Sequence, residues 1–415
     1  MRTAPSELCL DGLRDARERT LALVSDLTGA QIAVPMLEII NPILWEIGHA
    51  AYFAEFWTLR HLLGEPPIVP NADELYDSAK IPHDARWSLP LPDRAGTLEF
   101  MKTQLERVLE RANVAARNPD AWYFYRLALH HEDMHDEALI YTRQTLGYRW
   151  PLPLCHREVS NDREPQASGA ERSRGDLGDA RVPAGTYRIG STPNDGFVFD
   201  NEKWAHDVRL GAFEIARTPV TNAEYRAFID DGGYRTHEFW SDEGWAWRLQ
   251  ANAEHPIYWQ GGMRRHFDTL VPLRDNEPVA HVNYFEAQAY CRWAGRRLPT
   301  EAEWEVAAAD APIRGNLDGA YGDVCDVRLF GDAESRYGCR QMIGNVWEWT
   351  QSVFEPYPGF APDPYKEYSE PWFGTHYVLR GGAWSTRSRL ISTRWRNFYR
   401  PHRRDIITGF RTVKV

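Results

Sequence analysis

Leu129-His-His-Glu-Asp-Met-His-Asp-Glu-Ala-Leu139 is the stretch on which the reading of this 415-residue chain turns. The apolar positions around it predict a helix from roughly Ala121 to Leu146. His131 and His135 are four residues apart and therefore stack on one helical face. Neutral imidazoles at that spacing can hold one divalent metal, although such a pair can also be solvated or packed. His130 is turned about 100° away from its neighbour and lies off that face. Glu137, two residues beyond His135, lies about 200° around the helix and reads as an outer or surface group.

A third ligand is needed, and another helix offers it. Asn41-Pro42 opens an apolar run, ILWEIGHAAYFAEFWTLRHLL, with proline at a tolerated first-turn position and His49 midway along. Three imidazoles leave positions open for substrate and oxygen, as a catalytic metal requires. Apolar residues recur at helical spacing from Leu13 (Ala16, Leu23, Val24, Leu27) and again at Met101, Leu105, Val108, Leu109 and Ala112. Four helices of about 20 residues each predict a bundle. The connection from Gly64 to Pro92 carries six prolines and is long for a bundle turn, which is where function often resides.

From Pro151 to Ala180 the sequence turns polar and aperiodic and reads as a linker. Beyond it come short strand-like pieces, Gly-rich turns and many aromatics, predicting an irregular α+β domain; 17 tryptophans suggest an interior held by aromatic packing. The length itself calls for two or three domains. A net charge of −11 argues against a nucleic-acid partner. No stretch approaches the ~18 apolar residues of a membrane span. The N-terminal residues do not read as a signal peptide. Five scattered cysteines (Cys9, Cys155, Cys291, Cys325, Cys339) without a CxxC suit reduced thiols in a cytoplasm.

These features carry a resemblance. The helical part, with His49 on its second long helix and His131, His135 and Glu137 as HxxxHxE on its fourth, resembles the DinB-like metal-binding four-helix bundles. The remainder looks like the formylglycine-generating-enzyme or sulfatase-modifying-factor domain, a C-type-lectin-like α+β fold. Its marks are VPAGTYRIGS (Val182–Ser191), TPVTNAEY (Thr218–Tyr225), RLPTEAEWE (Arg297–Glu305), GNVWEWT (Gly344–Thr350), LRGGAW (Leu379–Trp384) and GFR (Gly409–Arg411). Bundle 1–150, linker 151–180 and second domain 181–415, in that order, resemble the ergothioneine sulfoxide-synthase family. The resemblance implies non-haem iron(II) on His49, His131 and His135. It also implies hercynine (Nα-trimethylhistidine) as a substrate, with O2 driving bond formation at the ring carbon between its two nitrogens.

The family's Arg-Asn-Trp-Asp segment falls on Arg396-Asn397-Phe398-Tyr399. The resemblance makes Asn397, Phe398 and Tyr399 the holders of the trimethylammonium end, the aromatics through their ring faces. It also implies a tyrosine donor near bound oxygen, for which Tyr357, Tyr365 and Tyr368 are available and Tyr365 is taken. Met134 stands where a glutamine is expected and Tyr399 where an aspartate is expected. The loop carrying Arg86 also departs from the common form, although Arg86 could still serve a donor carboxylate or hydroxyl. These departures most resemble the selenoneine-synthase branch, whose donor is a selenosugar. The alternatives are a hercynine sulfoxide synthase using cysteine or γ-glutamylcysteine, a zinc-dependent DinB-type thiol transferase, and a ligand-binding protein with a structural bundle. Copper-dependent formylglycine generation is excluded, because no cysteine follows Cys339 to complete a C-terminal pair.

Overall fold

In the computed structural model, residues 5–118, 120–151 and 178–415 are described. The expected linker and Cys155 lie outside them, apart from the linker's two ends. The described residues group into two compact units, one formed by residues up to 143 with Pro151, the other by residues 144–150 and 178–415. Among them, no helix is long and apolar enough to cross a membrane. Cys9, Cys291, Cys325 and Cys339 are buried thiols.

The first unit contains α1 (Pro5–Ser25), α2 (Gly29–Ile32), α3 (Ile43–Glu55), α4 (Ala72–Tyr76) and α5 (Arg94–Ala115). The last helix, α6 (Ala121–Leu146), continues into the second unit's residues 144–146. The helix expected through Leu63 does run that far, but Phe56–His61 wind as a π-helical turn between the α-helical Ile43–Glu55 and Leu62–Leu63. Asp93 caps α5 by accepting from the Gly96 N–H at 2.8 Å. An apolar core of Leu13, Ala16, Ala54, Val108, Tyr125 and Ala128 joins α1, α3, α5 and α6.

Helix α6 is polar on more than its histidine face, and α1 explains why. Arg17 donates to both oxygens of buried Glu132, at 2.7 and 3.2 Å, and to Gln104 at 2.9 Å. The Thr20 hydroxyl donates within reach of Glu132 and Asp136, at 3.0 and 2.7 Å. The carboxyl groups one residue after each histidine thus turn toward α1, where Glu132 is paired with Arg17, as burial of charge demands, and Asp136 meets the Thr20 hydroxyl. Burial pushes the Asp136 carboxyl well above the usual range.

The second unit is built from short strands: β1 (Asp179–Val182), β2 (Gly185–Ile189), β3 (His206–Leu210), β4 (Phe213–Ala216), β5 (Trp259–Gln260), β6 (Met263–His266), β7 (Thr269–Pro272) and β8 (Arg296–Arg297). They continue with β9 (Trp347–Val353), β10 (Tyr377–Arg380), β11 (Asn397–Tyr399), β12 (Thr408–Gly409) and β13 (Val413–Lys414). Sheets of order β1-β4-β13-β8, β11-β10-β9-β12, β2-β3 and β5-β6-β7 result. Helices α7 (Asn222–Asp230), α9 (Tyr284–Trp293) and α10 (Glu301–Ala307) all start with a capping box, Thr221/Glu224, Asn283/Glu286 and Thr300/Glu303; α8 (Asp242–Gln250) is capped by Ser241. Two of these boxes are the TNAE and TEAE of the quoted motifs.

The remaining motifs bury charge in matched pairs. Glu348 of GNVWEWT accepts from Arg411 of GFR at 2.5 and 2.7 Å and from Trp304 Nε1 at 2.7 Å. Arg380 pairs with Glu305, and Arg396 with Glu301. Gly381 of LRGG has φ +93°, and a Cβ there would lie 2.8 Å from the Met342 carbonyl oxygen, so only glycine fits the turn.

Candidate metal centre

His49 on α3 and His131 and His135 on α6 present ring nitrogens that all lie within 4.8 Å of one another. The side chains of His49 and His131 are each buried to 4 % exposure. The Nε2 atoms of His131 and His135 are 3.2 Å apart. The ring centroids of His49 are 5.1 Å from His131 and 4.9 Å from His135, both edge-on.

The other edges of two rings are fixed by acceptors, which sets the tautomers. His49 Nδ1–H donates to the Tyr76 carbonyl at 2.7 Å, and His135 Nδ1–H donates to Glu46 Oε1 at 2.5 Å. Neither acceptor can donate back, so both rings carry their proton on Nδ1 and keep the Nε2 lone pair for a metal. Aromatic packing fixes the planes: Trp45 stacks on His49 at 4.7 Å and 6°, and Phe53 on His131 at 3.5 Å and 3°. Trp45 is itself held by donating from Nε1 to the Leu75 carbonyl at 2.9 Å. Gly48 lets this layer close, since a Cβ there would come within 2.4 Å of the Tyr76 ring.

Electrostatics keep the donors ready. Burial, reinforced by the charge of His135, pushes His49 down to about 3, and burial holds His131 well below the usual histidine range. Both are therefore neutral at pH 7, as ligation requires. Burial alone would raise the Glu46 carboxyl, but the charge of His135, its hydrogen bond, His49 and the Asn41 amide together hold it below its ordinary value. Three convergent imidazoles with a carboxylate behind one of them suit a divalent transition metal with open positions.

The other residues singled out from the sequence fall as follows. Met134 is half-buried on α6, one residue before His135. Arg86 is half-buried in a 3₁₀ turn, Asp84–Trp87. It donates to Asn41 Oδ1 at 2.7 Å and lies 3.9 Å from the Trp45 ring centroid. Asn397, Phe398 and Tyr399 form β11 of the second unit, paired with Leu379, Val378 and Tyr377. Strand alternation separates them. Phe398 stacks on Phe354 at 4.1 Å and meets Tyr368 and His376 edge-on, at 5.8 and 6.0 Å. Asn397 and Tyr399 share the other face, with Tyr377 opposite Tyr399 and stacked on Tyr284 at 3.8 Å.

Of the three tyrosines considered, Tyr357 is buried beneath Arg396, 4.0 Å from its ring centroid, and Tyr368 accepts from Trp395 Nε1 at 3.3 Å inside an aromatic cluster. Tyr365 is half-buried and precedes the 3₁₀ turn Lys366–Tyr368. Glu46, Asn41 and the Tyr76 carbonyl were not read from the sequence. Only Glu46 leaves a local signal there, an acid three residues before His49 and so on its face of the helix.

Comparison with known proteins agrees with this division. The DinB superfamily matches residues 13–139, and the sulfatase-modifying factor enzyme 1-like domain matches 167–329 and 320–415. The chain is 37% identical to a hercynine oxygenase of Mycolicibacterium thermoresistibile, covering 96% of this chain and 93% of that protein. It is 35% identical to the hercynine oxygenase of Mycolicibacterium smegmatis, over 98% of both, and 36% identical to that of Mycobacterium tuberculosis, over 99% of both.

Proposed function

The chain belongs to the hercynine oxygenase family and is an oxidoreductase, and from that premise we propose that it uses iron(II) and O2 to join a selenosugar's selenium to hercynine at the carbon between the two ring nitrogens. The observation that carries this reading is the convergence of His49, His131 and His135 within 4.8 Å, in a chain that aligns almost end to end with hercynine oxygenases. Bound by these imidazoles, iron(II) supplies the redox chemistry through which O2 oxidises the substrate ring.

The protein's own residues do the rest. Neutral His49 and His131 and the pinned His135 would hold the metal. Asn397 and Tyr399 bind the trimethylammonium end, the phenol through its ring face. Tyr365 serves as the proton donor. Hercynine, the selenium donor and O2 are the partners; the acidic chain has no nucleic-acid role, and four buried thiols suit a reducing cytoplasm.

Met134 and Tyr399 support the choice of donor. Met134 stands in place of an amide and Tyr399 in place of a carboxylate, which removes the ionic anchor for the ammonium of γ-glutamylcysteine, whereas a neutral sugar needs hydrogen bonds and stacking. A selenolate is also a soft ligand, retained where hard anionic competitors are few. With iron(II), O2, hercynine and equimolar selenosugar, thiosugar, cysteine and γ-glutamylcysteine, the selenium-bearing product is expected to dominate by mass spectrometry. A cysteine-derived sulfoxide as main product would overturn the donor and leave iron and hercynine standing.

A further inference from the structure

Behind His135 runs a chain of hydrogen bonds that the chemistry above does not use. Glu46, 4 % exposed, accepts from His135 Nδ1 through Oε1 at 2.5 Å and from Asn41 Nδ2 through Oε2 at 2.6 Å. Asn41 Oδ1 in turn accepts from Arg86 at 2.7 Å. The directions are forced: a guanidinium only donates and a carboxylate only accepts, so the Asn41 amide has one orientation that satisfies both. We propose that Glu46 is a positioning residue for the metal centre, with Asn41 and Arg86 holding it in place. This rests on the reading of His49, His131 and His135 as metal ligands.

The relay does two things for the centre. It locks His135 in the tautomer and plane that aim Nε2 at the metal, as a carboxylate behind a ligating histidine does. It also places a negative charge next to a site whose three ligands are neutral, which favours a cation bound there. Arg86 acts from the loop between α3 and α5, where its guanidinium also covers Trp45, the ring stacked on His49. Tyr76, whose carbonyl fixes His49, belongs to the same connection, which therefore backs one ligand directly and a second through Asn41 and Glu46. Arg86 is thereby assigned to the metal's surroundings and not to the donor's carboxylate.

Cobalt(II), with its visible absorption bands, is the probe. It is titrated anaerobically into the full-length wild-type protein and into Glu46→Gln, Asn41→Ala and Arg86→Ala, with no substrate present. Glu46→Gln is expected to weaken cobalt binding roughly 10–100-fold and to shift the bands, with the metal-free thermal midpoint close to wild type. Asn41→Ala and Arg86→Ala should weaken binding in the same sense but less, and each should add little to Glu46→Gln in the double variant. A folded Glu46→Gln with wild-type affinity and spectrum overturns the proposal. Should that variant not fold, unchanged cobalt affinity in Asn41→Ala overturns it instead. Wild-type cobalt affinity and spectrum in Arg86→Ala remove Arg86 from the relay. A wild-type protein that binds no cobalt overturns the ligand assignment itself, which separates that failure from this one.

Discussion

Alanine in place of His49, His131 or His135 is expected to remove both the metal and the oxidation of hercynine while leaving the chain folded. Each imidazole supplies one of the protein's three ligands, so losing one should exceed the ~10–100-fold weakening caused by losing an outer partner. The fold should survive because the bundle's core, which includes Leu13, Val108 and Leu129, is apolar and contains none of the three rings. Removing His49 leaves the Tyr76 carbonyl and Trp45 face without their partner, at a cost of about 1–3 kcal/mol for an unsatisfied buried group. Metal content by elemental analysis, helicity by circular dichroism and turnover should therefore separate cleanly. A His49→Ala protein that keeps one metal and full turnover would refute the three-histidine centre.

The largest effect on stability is expected in the second unit, at Arg411→Ala. The Arg411 and Glu348 side chains are 0 % and 1 % exposed, so neither charge has water to fall back on. Besides the paired carboxylate, Arg411 donates to the carbonyls of Ala216, Arg217 and Arg340, at 3.2, 3.2 and 3.1 Å. Truncation strands a buried carboxylate and several acceptors at once, which typically costs about 3–5 kcal/mol. Denaturant unfolding should show this loss in the second unit's transition. Removing both charges, as Arg411→Met with Glu348→Leu, should recover part of it, because no unpaired ion remains. A single variant within about 1 kcal/mol of wild type, below the range for broken buried pairs, would show that the pair is not a support of this fold.

That pair also shows what was legible in the sequence. The His131–His135 spacing, the four long helices and the motif order could be read because each is local, set by helical periodicity or by a short run of residues. The capping boxes at Thr221 and Thr300 belong to the same class. What could not be read depends on contacts between distant residues. Glu46 meets His135 across 89 positions, and Tyr76 meets His49 across 27. The resemblance assigns Asn397, Phe398 and Tyr399 to one ligand end; as strand β11 they divide between two faces, and Phe398 packs in the aromatic cluster around Phe354. The π-helical turn at Phe56–His61 left no periodic signal, since its residues continue the apolar pattern of α3.

Oxygen uptake tests the central claim most directly. Protein loaded anaerobically with iron(II) is mixed with hercynine and donor in an oxygen electrode, and the product is identified by mass. Oxygen should be consumed only when iron, hercynine and donor are all present, with selenium or sulfur joined to the imidazole ring, and zinc-loaded protein should consume none. Turnover of a thiol by the zinc form without oxygen, with no uptake by the iron form, would contradict the account.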